Sequence, residues 1–310
     1  MHKKIIKYLS KHFEGDLNNK TILITGANSG LGFKSAEICL YLKMNVIIAC
    51  RNEKRGNDAL TKLKEEFPSS NVRLMKLDTS EEESIINFVN KIKEENIDID
   101  VFYHNAGIYR IPFQIKEDKE LIASTNYYGQ YMLTSLLLPY LYSLKHEVKM
   151  VFTSSIAGKY ARNNIEMLTP TDKVSGTIRY ANSKLLDAHL FNYLNKNDRE
   201  NVKYYLVHPG VTATSLFTKV YKNKFFASIA DTFIKLLGNP LWKSSLSIVR
   251  VLSSDNVAGS FYGPSHIYDW RGYPKARHFL DKKYYLTDEI IKKTEEITKY
   301  KLLNQLTIVK

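Results

Sequence analysis

Short apolar segments alternate with longer stretches of helical period along the first two hundred residues, and that rhythm leaves few folds open. Residues 20–25, 45–50, 71–77, 100–104, 148–154 and 202–207 are brief and rich in Ile, Val, Leu, Phe or Tyr. Between them, stretches such as 53–67 and 80–95 repeat their apolar residues at helical spacing. Strands that are apolar on both faces and separated by helices predict βαβ units. The expected architecture is therefore α/β, a doubly wound parallel sheet covered on both sides. Ligands in such sheets bind at the carboxyl edge, where strands turn into helices.

After Pro209 the rhythm breaks. Residues 215–254 read as helical and irregular, with an apolar set that includes Leu216, Phe217, Phe225, Phe226, Phe233, Leu236, Leu237, Leu241 and Trp242. A short strand is expected at 259–262 and a last helix at 288–300. There is no internal repeat and no low-complexity linker. We expect an N-terminal extension over 1–19 and one domain over 20–310, with residues 213–258 forming a lobe over the substrate.

Size and composition agree with this. A chain of 310 residues, 44% apolar and 25% charged, can bury one large core and is neither disordered nor fibrous. The two cysteines, Cys39 and Cys50, make no disulfide framework; they read as small buried residues in a reducing, cytoplasmic compartment. The formal charge of +13 raises nucleic acid or an anionic membrane as a partner. The basic residues are nevertheless mixed with acids along the whole chain and accompany no nucleic-acid-binding motif, so nucleic acid is not expected. Residues 1–13 are basic, with Ile5, Ile6, Leu9 and Phe13 at helical spacing. Such a segment either lies on a membrane surface as a peripheral contact or packs on its own domain. It lacks the continuous apolar stretch of a signal peptide or span, and the longest apolar run, 133–144, is too short and contains Pro139.

Two places carry chemistry. The first strand joins the first helix through Thr25-Gly26-Ala27-Asn28-Ser29-Gly30-Leu31-Gly32. Glycines there permit a tight turn and let the backbone approach a pyrophosphate, whose charge is favoured at a helix N-terminus. The second strand ends in Ala49-Cys50-Arg51-Asn52, with no acid before Glu53 to hold the ribose hydroxyls. Arg51 is free to face a 2′-phosphate instead, so NADP(H) is expected over NAD(H).

The second place is Tyr180-Ala181-Asn182-Ser183-Lys184, read as the opening of a helix running to about Asn195. Four-residue spacing sets both side chains on one face. An ammonium beside a phenol stabilises the phenolate and lowers a pKa otherwise near ~10, making tyrosine a usable acid or base near neutrality. Of 21 tyrosines only Tyr180 has a lysine four residues on. Ser154 and Ser155 end the fifth strand, where one hydroxyl can hydrogen-bond a reacting carbonyl and the other reads as a strand-end cap. Asn126, in a helix expected to start near Glu117, is placed to hold a water beside Lys184. No Gly-x-Ser-x-Gly elbow or His-Glu-x-x-His occurs and the eight histidines are scattered, which removes support for hydrolase and metal chemistry.

Together these elements resemble the short-chain dehydrogenase/reductase family over roughly residues 18–215. The glycine turn, Asp78, Asn105-Ala106-Gly107, Asn126, Ser155, Tyr180, Lys184 and Pro209-Gly210 stand in the family's order. The resemblance implies a Rossmann-type fold with a seven-stranded sheet, Tyr180 as acid/base and Ser155 as the group orienting the carbonyl. It implies that Lys184 binds the nicotinamide ribose and depresses the tyrosine pKa while Asn126 supports a proton relay. Asp78 would lie near the adenine, and Asn105 with Pro209, Gly210 and Thr212 would line the cofactor. A long gap between Ser155 and Tyr180, filled by a polar insertion over 161–179, is similar to the retinol-dehydrogenase-like branch, as are Tyr262-Gly263-Pro264 and Arg271-Gly272-Tyr273-Pro274. That branch implies NADP(H) and a lipophilic alcohol or carbonyl of retinoid, steroid or fatty aldehyde type. A homodimer or tetramer is left open by the sequence. His104 stands where many relatives carry Asn. The alternative is a cofactor-binding regulator of the same fold without turnover, a kind of protein that usually lacks the Tyr or Lys; here all four positions are filled.

Overall fold

The computed structural model describes residues 2–197, 201–212, 238–266, 269–278 and 280–302. Its centre is an eight-stranded sheet in the order β10-β9-β8-β7-β4-β1-β2-β3. The strands are β1 (Thr21–Thr25), β2 (Asn45–Cys50), β3 (Val72–Lys76), β4 (Val101–His104), β7 (Val148–Thr153), β8 (Val202–Val207), β9 (Phe261–His266) and β10 (Arg271–Ala276). A separate two-stranded hairpin, β5 (Ile115–Lys116) with β6 (Lys119–Glu120), lies outside the sheet. The pairs within β1 to β9 of the sheet are parallel, and β10 returns antiparallel along β9.

Period-two alternation divides the core into two halves. Leu23, Ile47, Phe102, Met150 and Leu206 face one side, against α4 (Glu82–Glu94), α6 (Gly129–Ser143) and α7 (Gly176–Lys196). Ile22, Ile24, Ile48, Val151 and Val207 face the other, against α1 (Lys3–His12), α2 (Gly30–Tyr41), α3 (Glu53–Glu66) and the helix Leu246–Leu252. Each such side chain removed from water contributes about 1.5–3 kcal/mol, which is why the strands read as unbroken apolar runs. In α1, Ile5 and Leu9 are buried in the second half while Ile6 is exposed beside the lysines. His2 stacks on Trp242 at 5.4 Å. Among the described residues no helix is long and apolar enough to cross a membrane. Both cysteines are free and buried.

Four boundaries differ from the sequence reading. The sheet has eight strands rather than seven, and the added one, β10, was hidden by Gly272 and Pro274; proline is tolerated there because β10 is an edge strand. The strand expected at 259–262 begins two residues later, at Phe261, and runs on to His266. The helix expected to start near Glu117 starts at Leu121, because Glu117 and Asp118 both take positive φ to close the β5–β6 hairpin. The short α5 (Leu121–Ala123) is capped by the Glu120 carboxylate, which accepts from Ala123 N at 2.9 Å, and passes through a π-helical turn at Ser124–Tyr128 into α6. Finally, α7 starts at Gly176 behind the Ser175 cap, so Tyr180 lies one turn inside it rather than at its opening. The last helix spans Thr287–Thr298. Much of the apolar 215–242 set lies outside the described residues.

Candidate active site

The carboxyl ends of β1, β2, β4, β7 and β8 bring the expected residues to one edge. Gly26 takes φ +66° in the turn after β1, and a side-chain carbon there would fall 2.8 Å from the Cα of Ala106. At Gly32 an added carbon would overlap the Asn105 side-chain amide and approach Gly26 O at 2.8 Å, so α2 packs against this turn only without a side chain. Asn105 is committed to the protein: its Nδ2 donates to Thr25 O at 2.8 Å. Thr25 Oγ1 accepts from the backbone N–H groups of Asn105 and Ala106, both at 3.0 Å. Asn105 thus ties the β4 loop to the glycine turn, and Thr25 is a member of the site that the sequence reading missed. Ser29 begins α2 without a side-chain cap, leaving its first N–H groups for an anion.

Beyond this turn a groove of about 410 Å³ runs between α2 and α3, lined by Asn28, Ser29, Phe33, Arg55, Asp58, Ala59 and Lys62. Arg51 is exposed, with its Nε 3.9 Å from Asp78 Oδ2. Asn52 is spent on capping α3, accepting from Arg55 N at 2.9 Å. Arg55 and Lys62 are cations that sequence reasoning did not single out; only their positions one and three turns into α3 bring them to the groove. Asp78 is buried, which alone would raise its carboxyl. Hydrogen bonds from Ser80 N and Oγ (2.9 and 2.7 Å) and the charges of Lys116 and Arg51 outweigh burial and hold it below the usual range. A glycine turn with left-handed backbone, an uncapped helix N-terminus and a cationic groove fit a phosphorylated dinucleotide.

At the far end Gly210 has φ +79°, and Pro209 O accepts from Asn239 Nδ2 at 3.2 Å while Thr212 meets Ser244 Oγ at 2.5 Å. Asn239 also accepts from Gly272 N at 3.2 Å, so it clasps the chain after β8 to β10.

Ser155, Tyr180, Lys184 and Asn126 converge on the end of β7. Tyr180 is buried, meets Tyr109 edge-on at 4.7 Å between ring centroids, and lies near enough to the Ser155 hydroxyl for that group to favour its phenolate. Ser155 itself is only partly buried, and its Oγ also accepts from Ala157 N at 3.2 Å. Ser154, by contrast, is buried and gives its hydroxyl to Lys184 O at 2.9 Å, a purely structural bond. Lys184 Nζ donates to Thr153 O at 2.9 Å and Asp187 Oδ2 at 2.7 Å. Asn126 is held firmly by the protein. Its Nδ2 donates to Ile108 O and Ser183 Oγ, both at 3.0 Å, and its Oδ1 accepts from Ile108 N at 2.8 Å, so both amide hydrogens are spent. It fixes the β4 loop onto α7, and its Oδ1 keeps one lone pair for a further donor.

The Tyr180 phenol departs from the sequence argument. Burial raises its pKa, and although Lys184 and Ser155 pull the other way, the net direction is up. His104 is enclosed between Phe102 and Phe152, stacked on the latter at 4.7 Å, and burial with the Lys184 charge pushes it down to about 3. It is a neutral, fully buried core group. Asp187 and Tyr109 were missed; the one available signal for Asp187 was an acid three residues after Lys184 amid Leu185, Leu186 and Ala188.

Comparison with known proteins gives the same assignment. The family model described as short chain dehydrogenase matches residues 20–224. Retinol dehydrogenase 14 of Mus musculus is 30% identical over 267 residues, covering 80% of this chain and 79% of its own length. The chloroplastic short-chain dehydrogenase TIC 32 B of Brassica napus is 30% identical over 240 residues, 74% and 73% of the two chains. A crystal structure of an uncharacterized protein from Mycobacterium paratuberculosis superposes with a TM-score of 0.71 at 24% identity, covering 94% of this chain and 98% of that one, a likeness of fold. Fold and relatives together define an oxidoreductase of the nicotinamide-dependent kind. The chain belongs to the short-chain dehydrogenase family, on its retinol-dehydrogenase-like side.

Proposed function

We propose that the chain interconverts a lipophilic alcohol and its carbonyl with NADP(H), and the cluster of Ser155, Tyr180 and Lys184 at the end of β7 carries the proposal. NADP(H), when bound, supplies or accepts the hydride. The chain's own residues handle the proton and the charge. The Ser155 hydroxyl is aimed at the position of a substrate oxygen next to Tyr180, which donates its proton in reduction and takes one in oxidation. The Lys184 ammonium stabilises the phenolate form and offers a donor to the cofactor ribose. The uncapped turn of α2 receives the phosphates, and the 2′-phosphate is met by Arg51 at the end of β2, with Arg55 in the neighbouring groove. Support for a lipophilic substrate comes from the name of the retinol dehydrogenase relative and from the apolar composition of 215–242.

Two measurements test this. Nicotinamide fluorescence on the purified protein should show tighter binding of NADPH than of NADH; the reverse order would overturn the 2′-phosphate assignment. Tyr180→Phe should lower turnover of lipophilic aldehydes at least about a hundredfold, the low end for a lost acid/base group, with NADPH affinity little changed. A fully active variant would remove Tyr180 from the chemistry. The alternative, a regulator without turnover, is favoured by no residue of the site.

A further inference from the structure

One face of α7 carries a second ionisable group beside Lys184. Asp187, three residues on, is fully buried, and its Oδ2 is the 2.7 Å acceptor of the Lys184 ammonium. Its Oδ1 is buried and has no hydrogen-bond partner within the described structure. A carboxylate left half-satisfied in the interior is costly unless its one partner is firmly held. Lys184 is so held: of its three N–H donors one goes to Thr153 O and one to Asp187, leaving one for the side where Gly107 passes. The lysine on which the proposed chemistry depends is therefore half of an internal ion pair. Two further titratable groups face Asp187. Tyr180 comes from its own helix, and Tyr127 comes from the π-helical turn with its hydroxyl bound to Thr294 at 2.8 Å. His104, at the end of β4, faces Lys184 as a neutral imidazole.

We propose that Asp187 is a positioning residue. Its carboxylate anchors the Lys184 ammonium between Thr153 and Tyr180 and, by sharing that positive charge, limits how strongly the charge acts on the Tyr180 phenol. This rests on the roles given above to Tyr180 and Lys184. The electrostatics agree in sign. Burial pushes the Asp187 carboxyl up to about 6 against the pull of Lys184, and the Asp187 charge adds to the upward shift of Tyr180. Replacing the carboxylate by an amide keeps an acceptor for Lys184 but frees the full ammonium charge for the phenol.

The test is the titration of Tyr180 in the free protein, read by NMR of [ζ-13C]tyrosine with the signal assigned from Tyr180→Phe. It is paired with the pH profile of kcat/KM for alcohol oxidation. In Asp187→Asn the Tyr180 midpoint and the ascending limb of the profile should both move to lower pH by about 0.5 unit or more, with KM for NADP little changed. A merely structural carboxylate would lower stability and kcat and leave both midpoints in place; that result overturns the proposal. Asp187→Ser carries the same readout if the amide variant fails to fold. Absence of turnover in the wild type would defeat the oxidoreductase reading alone, since the NMR titration judges Asp187 without cofactor or substrate.

Discussion

Arg179, the residue before Tyr180, is buried and ion-paired to Glu120, which is buried too. Its guanidinium also donates to Val174 O at 3.1 Å and Ile111 O at 2.9 Å, so one side chain joins the β4 loop, α5 and the first turn of α7. Removing one partner strands a charge in the interior, a loss of about 3–5 kcal/mol, far above the worth of an exposed pair. Glu120→Ala should therefore lower unfolding stability in urea by that order and displace Tyr180. A loss below about 1 kcal/mol would mean that water reaches Arg179. At this scale the sequence is only partly legible. The four-residue spacing of Tyr180 and Lys184 is a local fact, but the upward shift of the phenol depends on burial that no neighbour in sequence supplies.

Among the elements, the glycine turn and α2 were legible because their demands are steric and local. Gly26 needs positive φ and Gly32 has no room for a methyl group. Gly32→Ala should destabilise the chain by about 1–3 kcal/mol through overpacking against Asn105 and Gly26 O and should weaken NADPH binding in the fluorescence assay. Unchanged affinity would show that α2 can retreat without cost. The β5–β6 hairpin and the π-helical turn were not legible. Glu117 and Asp118 carry no glycine to advertise left-handed backbone, and Asn126, which reaches Ile108, lies within the π-helical turn itself.

For the whole molecule, burial of histidines sets the response to acid. His104, His189 and His208 are each pushed down to about 3, first by burial. In the unfolded chain they titrate near ~6.5, so between these values the unfolded state binds more protons and stability falls as pH falls. Each contributes a slope of at most about 1.4 kcal/mol per pH unit. Asp187, pushed up to about 6, binds its proton in the folded state and offsets one of the three below that pH. His146, raised by Asp98 and Asp100 against burial, gains its proton in the folded state and offsets at most one more. The remaining imidazole still decides the sign: the urea midpoint should drop between pH 7 and pH 5. A flat or rising midpoint would mean that these imidazoles are charged or hydrated in the fold.

The sequence by itself determined the strand order of appearance, the two-sided burial of the sheet, the glycine turn and the residues gathered at its carboxyl edge. The first three follow from periodicity or from steric limits that act within a few residues; of the edge residues, Asp78, Asn105, Pro209, Gly210 and Thr212 came from the family resemblance. Only the tertiary structure decided that Asn126 is a tie, that His104 is a neutral core group, that Arg55 and Lys62 line the groove between α2 and α3, and that Lys184 is paired to Asp187. Those outcomes depend on which element covers a side chain and which partner lies across the gap. Both are set by packing between segments far apart in the chain.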